Sequence, residues 1–171
     1  MADNHSQAVR SYNMSRIRST NTKLEVLVRK YLFSCGLRYR ICDKRYPGKP
    51  DMIFPKYKTA VFINGCFWHW HEGCSGFIMP KSKLKYWKPK LIRTRERDAE
   101  HIAALKVIGW RVITVWECEL KKAVYIKRLE KLYNQITKKK EIKKAKPAFN
   151  EFVGFIHMSH NIYRTLAKRI E

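Results

Sequence analysis

Apolar residues recur at two different spacings along this chain, and the switches between the two mark out its elements. Leu24, Leu27, Val28, Tyr31 and Leu32 fall three or four apart, the spacing of one helix face, and the run stops at Gly36. Thr22, followed three residues later by Glu25, supplies a capping box at the start of that helix. Short β-like runs come next at residues 37–41, 52–54 and 59–63, punctuated by Pro47-Gly48 and by Pro55-Lys56-Tyr57-Lys58. A second helix is predicted from about Pro89, a residue suited to a first helical turn. Ile92, Ala99, Ile102, Ala103 and Ile108 form its apolar stripe and Gly109 its stop. Residues 110–116 then read as a buried strand, and Leu120, Val124, Leu129, Leu132 and Ile136 as a further amphipathic helix.

Two stretches have no usable period. Residues 1–21 are polar, with Arg10, Arg16 and Arg18 around Met14 and Ile17, and read as an arm. Residues 65–80 are rich in Cys, His, Gly and aromatics, a loop that something other than periodic packing must organise, and metal is the obvious candidate. The elements together imply an α/β fold in which a small mixed central sheet is flanked by helices. One domain is expected over residues 1–137, followed by a lysine-rich linker and C-terminal extension over 138–171 of unknown role.

Charge narrows the choice of partner. Lys and Arg total 37 against 14 Asp and Glu, a formal charge of +23 that calls for a polyanion, and nucleic acid fits best. Aromatic residues make up 13% of the chain, which sets it apart from a merely solubilising basic surface. Five cysteines, no secretory pattern and no long apolar run point to a reducing, cytoplasmic setting without disulfides or a membrane. Some of those cysteines are then expected to ligate metal, and Cys35 and Cys42, with no His nearby, to be core thiols.

The chemistry concentrates in three groups. Cys66, His71 and Cys74 lie within nine residues, and Cys118 can join them from the end of a later strand. The four are soft S and N donors of the kind that close a structural Zn²⁺ site. Asp51 opens one strand, Ile63 ends the next, Glu25 sits on the first helix and His69 just beyond. A carboxylate and a backbone carbonyl suit Mg²⁺, Glu25 can hold a water, and a histidine can take a proton near neutral pH. Phe67, Trp68 and Trp87, set among Lys81, Lys83, Lys85, Lys88 and Lys90, combine rings that can push between base steps with cations that neutralise phosphate. A mismatch lowers the cost of that distortion.

At this point a family resemblance is legible. Asn13-Met14-Ser15-Arg16-Ile17, Pro47-Gly48-Lys49-Pro50-Asp51, residues 61–69 (VFINGCFWH), Gly109-Trp110-Arg111-Val112 and Trp116-Glu117-Cys118-Glu119-Leu120 resemble the Vsr family of very-short-patch repair endonucleases, over residues 1 to about 135. The resemblance implies a restriction-endonuclease-like fold and Mg²⁺-dependent nicking of double-stranded DNA on the 5′ side of the T in a T:G mismatch. It further implies repair of deaminated 5-methylcytosine in the bacterial cytoplasm, coupled to mismatch-repair proteins of the MutL type, and a monomer is the natural expectation for an enzyme that acts on one strand. By position it implies Asp51 and the Ile63 carbonyl as Mg²⁺ ligands, His69 as general base and Glu25 as a water-mediated metal contact. Cys66, His71, Cys74 and Cys118 match its zinc ligands, Phe67, Trp68 and Trp87 its aromatic wedge, and Met14, with Ile17 beside it, the arm residue entering from the minor groove. Lys90 and Thr94 fall in the region facing the mismatch. Asn64 stands where better-known members carry a histidine near the scissile phosphate, and it can donate a hydrogen bond without becoming cationic. Two other readings fit the same residues: a restriction- or recombination-type nuclease without mismatch preference, and a zinc-stabilised DNA-binding protein that performs no chemistry.

Overall fold

The first helix of the body begins where its capping chemistry says it should. Thr22 accepts the Glu25 amide on its hydroxyl while the Glu25 carboxylate reaches back to the Thr22 amide, and α2 runs Lys23–Ser34 with Val28 and Leu32 fully buried. The computed structural model describes residues 6–18, 20–122 and 124–137; the expectations placed on the lysine-rich stretch and the tail lie outside the described residues. Ahead of α2 the arm contains a helix that its polarity concealed. α1, Gln7–Ser15, is capped by the Ser6 side chain, and Val9, Tyr12 and Met14 stand exposed on it, so no packed face betrays it as a period.

After Gly36 the chain makes only one residue pair of the strand expected at 37–41. Arg40 and Ile53 exchange both backbone hydrogen bonds, and Cys42, in the left-handed region at φ 46°, then turns the chain away. The two later strands form as expected. β1 (Met52–Phe54) and β2 (Thr59–Asn64) pair antiparallel, and β3 (Arg111–Trp116) pairs parallel to β2, giving the mixed order β1-β2-β3.

Because β2 and β3 are parallel, the chain between them must cross over the sheet, and α3 makes that crossing over Leu84–Val107. It starts five residues before the expected Pro89, which sits inside the helix, exposed, with no amide to give the preceding turn. The expected apolar stripe is also displaced by about one position. Ile92, Ala99, Ala103 and Ile108 are exposed, whereas Leu91, Thr94, Asp98, His101, Ile102 and Leu105 turn inward.

The period-two alternation of the strands sorts the core into two sides. Ile53, Ala60 and Leu105 are fully buried together, with Phe62, Val112, Tyr46 and Trp110 packed around them, so α3 covers this face. Met52, Val61, Ile113 and Val115 point the other way, as does Arg111, whose guanidinium donates to the Ile136 carbonyl at 2.7 Å. That carbonyl belongs to α4, Tyr125–Thr137, which packs beside α2 and buries Leu129, Leu132 and Ile136. The last expected helix thus starts later, Leu120 lying instead in a 3₁₀ turn, Glu117–Leu120, and Val124 standing exposed before α4. No helix among the described residues is long and apolar enough to cross a membrane.

Candidate active site and metal centre

The acid, the histidine and the soft donors lie around the point where β2 ends and its crossover begins. Asp51 is placed by the turn that precedes β1, in which Gly48 and Lys49 both lie in the left-handed region, at φ 72° and 47°. A Cβ on Gly48 would come within 2.8 Å of the His101 ring, so only glycine fits the approach of this turn to α3. The Asp51 carboxylate accepts the Ile63 amide at 2.6 Å, which ties the acid to the neighbouring strand. Burial drives its pKa up to about 6, and Glu25 adds to the rise while the Ile63 amide, Arg29 and His69 oppose it. A half-buried carboxyl with one oxygen anchored is suited to meeting a cation with the other.

Glu25 is itself buried, and its two oxygens accept from the Asn21 amide, the Thr22 amide and hydroxyl, and Arg29 at 2.7 Å. These donors tie the carboxylate to the helix start and to Arg29. Asn64, 9% exposed, ends β2 opposite Trp116.

His69 lies in the turn after β2, and its Nδ1 meets Asp98 Oδ2 at 2.5 Å. The sequence reading missed Asp98. It sits four residues after Thr94 and eleven after Trp87, on the one α3 face that turns inward, and that helical spacing was the available signal. With Nδ1 fixed by a carboxylate, the imidazole keeps Nε2 for proton transfer.

The four soft donors also come together. Cys66 Sγ lies 3.7 Å from Cys74 Sγ, and His71 Nδ1 is 3.5 Å from both Cys66 Sγ and Cys118 Sγ, with all four ligand atoms within 4.8 Å of one another. A tetrahedral zinc ion with bonds of about 2.3 Å to sulfur and about 2.1 Å to nitrogen needs S···S near 3.8 Å and S···N near 3.6 Å, so the donors fit such an ion. Without a cation the Cys66 thiol resists ionisation, pushed up to about 12 by burial with the neighbouring Cys118 and Cys74 side chains adding to the rise, whereas the Gly76 amide lowers the pKa of Cys74. The Trp116 ring lies flat on His71 at 4.0 Å and Glu117 accepts the Cys66 amide at 3.1 Å, two supports the sequence did not reveal. Cys35 and Cys42 stand apart and half-buried, the first against Tyr31 at the end of α2, rather than deep in the core.

Phe67, Trp68 and Trp87 form a half-buried cluster, meeting at 5.0, 5.3 and 6.0 Å with steep interplanar angles. Lys90 lies over Trp68, Trp87 and Tyr86 and donates to the Tyr86 hydroxyl at 3.0 Å, while Thr94 turns its hydroxyl to the Lys90 carbonyl. Met14 and Ile17, on the arm, are about half exposed. The rings, the Asp51 acid and the His69–Asp98 pair thus share one stretch of sheet edge, loop and helix.

The family model described as DNA mismatch endonuclease Vsr matches residues 2–75. A type II nicking enzyme of Neisseria meningitidis serogroup A, V.NmeAIP, is 50% identical over 137 residues, 80% of this chain and 97% of that relative. The type II nicking enzyme V.XorIIP of Xanthomonas oryzae is 48% identical over 120 residues, 70% of this chain and 88% of its own. The DNA mismatch endonuclease Vsr of Escherichia coli is 40% identical over 121 residues, 71% of this chain and 77% of its own. Likeness of that extent, running through the acid, the histidine loop and Cys118, makes this chain a member of the Vsr family of DNA mismatch endonucleases.

Proposed function

We propose that the protein nicks one strand of double-stranded DNA on the 5′ side of the T in a T:G mismatch, so starting the repair of deaminated 5-methylcytosine. The observation that carries this is the His69–Asp98 pair beside Asp51, with His69 on the same loop as the rings Phe67 and Trp68. Asp51, with the backbone at Ile63, would hold Mg²⁺, and the ion would supply charge stabilisation at the scissile phosphate. His69, oriented by Asp98, takes a proton from the attacking water through Nε2. Asn64 donates a hydrogen bond toward the phosphate. Glu25 acts by fixing Arg29 and the start of α2 beside Asp51.

Phe67, Trp68 and Trp87 enter between base steps, Lys90 and Thr94 face the mismatched pair, and Met14 and Ile17 on the arm approach from the minor groove. Cys66, His71, Cys74 and Cys118 hold a structural zinc ion, which fixes the loop that presents both His69 and the rings. The fold is of the restriction-endonuclease-like class, with residues 1–137 as the endonuclease domain and 138–171 as an extension. The enzyme works as a monomer in a bacterial cytoplasm, with mismatch-repair proteins of the MutL type as partners.

Strand-resolved cleavage with Mg²⁺ tests this, using a labelled duplex with one T:G mismatch, its T:A and C:G counterparts, and Asp51→Ala. The expected result is a nick confined to the T strand of the mismatched duplex and absent from the variant. Equal cutting of all duplexes would replace this reading with a nuclease indifferent to mismatches, and tight binding without cutting would leave only a DNA-binding protein.

A further inference from the structure

Trp70 occupies a backbone position suited to glycine. After β2 the chain makes one tight turn, closed by the Trp70 amide on the Phe67 carbonyl at 3.4 Å and the His71 amide on the Cys66 carbonyl at 2.9 Å. This nested pair is the Schellman closure, whose left-handed residue is usually glycine or asparagine. Here it is a tryptophan at φ 46°, a strained choice for so bulky a side chain. Strain of this kind persists where the side chain is needed for something the backbone alone would not ask.

What the ring does is visible in its contacts. Trp70 stacks on Phe77 at 5.5 Å with an interplanar angle of 19°, and Phe77 in turn stacks on Phe67 at 6.4 Å and 30°. Phe67 meets Trp68 and Trp87 edge-on. The near-parallel pair therefore backs Phe67, while the edge-on rings stand beside it. Both backing rings are tied to the metal cluster: Trp70 adjoins His71, and the Phe77 amide donates to the Cys74 carbonyl at 2.9 Å.

We propose that Trp70 is a positioning residue of the wedge, which with Phe77 backs Phe67 in the attitude from which that ring enters between base steps. The inference rests on the mismatch-nicking reading above. A ring forced into a duplex is pushed back by the stacking it displaces, and a stacked support on a metal-fixed footing resists that push where a lone phenylalanine would rotate.

The test uses the zinc-loaded full chain and a T:G duplex carrying 2-aminopurine beside the mismatched T, comparing Trp70→Gly, Trp70→Phe and Phe77→Leu with the unsubstituted protein. Bound zinc, melting temperature, the fluorescence rise on binding and the nicking rate are read for each. Trp70→Gly relieves the backbone, so zinc and melting temperature are expected to hold or rise. The fluorescence rise should fall by roughly half or more and nicking by roughly tenfold, the size expected when one stacking ring is misplaced. Trp70→Phe should retain most of both signals, and Phe77→Leu should follow Trp70→Gly. Unstacking and nicking by Trp70→Gly at the unsubstituted level would overturn the proposal, as would loss of its zinc, which would make Trp70 a support of the metal loop alone. No fluorescence rise and no nick from the unsubstituted protein would bring down the mismatch reading, and this inference with it.

Discussion

Asp51 is half-buried beside Glu25 in a way that favours its protonated form, and the cost should show in the metal-free protein. Below pH 3.8 the carboxyl is protonated folded and unfolded alike, and no penalty exists. Between about 4 and 6 the unfolded chain releases the proton first, so the fold loses stability as pH rises, and above about 6 the loss is complete. Asp51→Asn in Mg²⁺-free buffer at pH 7.5 should therefore raise stability by about 1–2 kcal/mol, seen as a higher melting temperature, and the gain should vanish by pH 4. An unchanged melting curve at pH 7.5 would contradict this. At Asp98 the expected effect is kinetic. Asp98→Asn keeps the shape beside His69 but removes the charge that orients and stabilises the ring, so nicking should slow by about a hundredfold or more at unchanged DNA affinity. A loss of affinity with the rate preserved would show that Asp98 serves DNA binding instead.

α3 carries much of what makes these residues a site, and the sequence located it only in part. Apolar periodicity found its existence but placed its buried face about one position off, because the inward face is polar at Thr94, Asp98 and His101. Reading by hydrophobicity follows Ile92 and Ala99, which face solvent, and overlooks Asp98, a half-buried carboxylate turned toward His69. The start was misplaced for a related reason, since Pro89 favours a first turn but is tolerated at the sixth position of the helix. There it leaves the preceding turn one hydrogen bond short, so Pro89→Ala should stabilise the fold by about 1–3 kcal/mol, measurable as a rise of several degrees in melting temperature. A lower melting temperature would mean that the proline ring makes contacts worth more than the missing bond. The donor set was legible because two thiols and an imidazole fall within nine residues, a spacing that scattered core thiols do not require, whereas Trp116 and Glu117 behind it look like any strand end. The turn before Asp51 offers a second check on the element: Gly48→Ala, which meets His101, should lower both melting temperature and nicking rate, and His101→Ala in the same chain should recover part of the rate.

At the scale of the molecule, a charge of +23 sets how the chain meets its substrate. Most of the affinity should come from phosphate contacts and released counterions, so the binding constant should fall by about three orders of magnitude between 50 and 200 mM salt; a flat dependence would assign the affinity to the rings instead. Removing zinc with a chelator should lower the melting temperature of the whole domain, since a structural ion contributes directly to folding. The parallel pairing of β2 with β3 gives that ion a second meaning. Cys66, His71 and Cys74 follow the end of β2 and Cys118 follows the end of β3, so a zinc ion held by all four would tie together the same ends of the two parallel strands and close a loop of roughly forty residues. In the language of chain topology such an ion would be a reversible cross-link around the crossover, and the speed with which β3 finds β2 should then rise with zinc supply. A newly made chain would then acquire its sheet, its base and its wedge in one event, when the metal arrives.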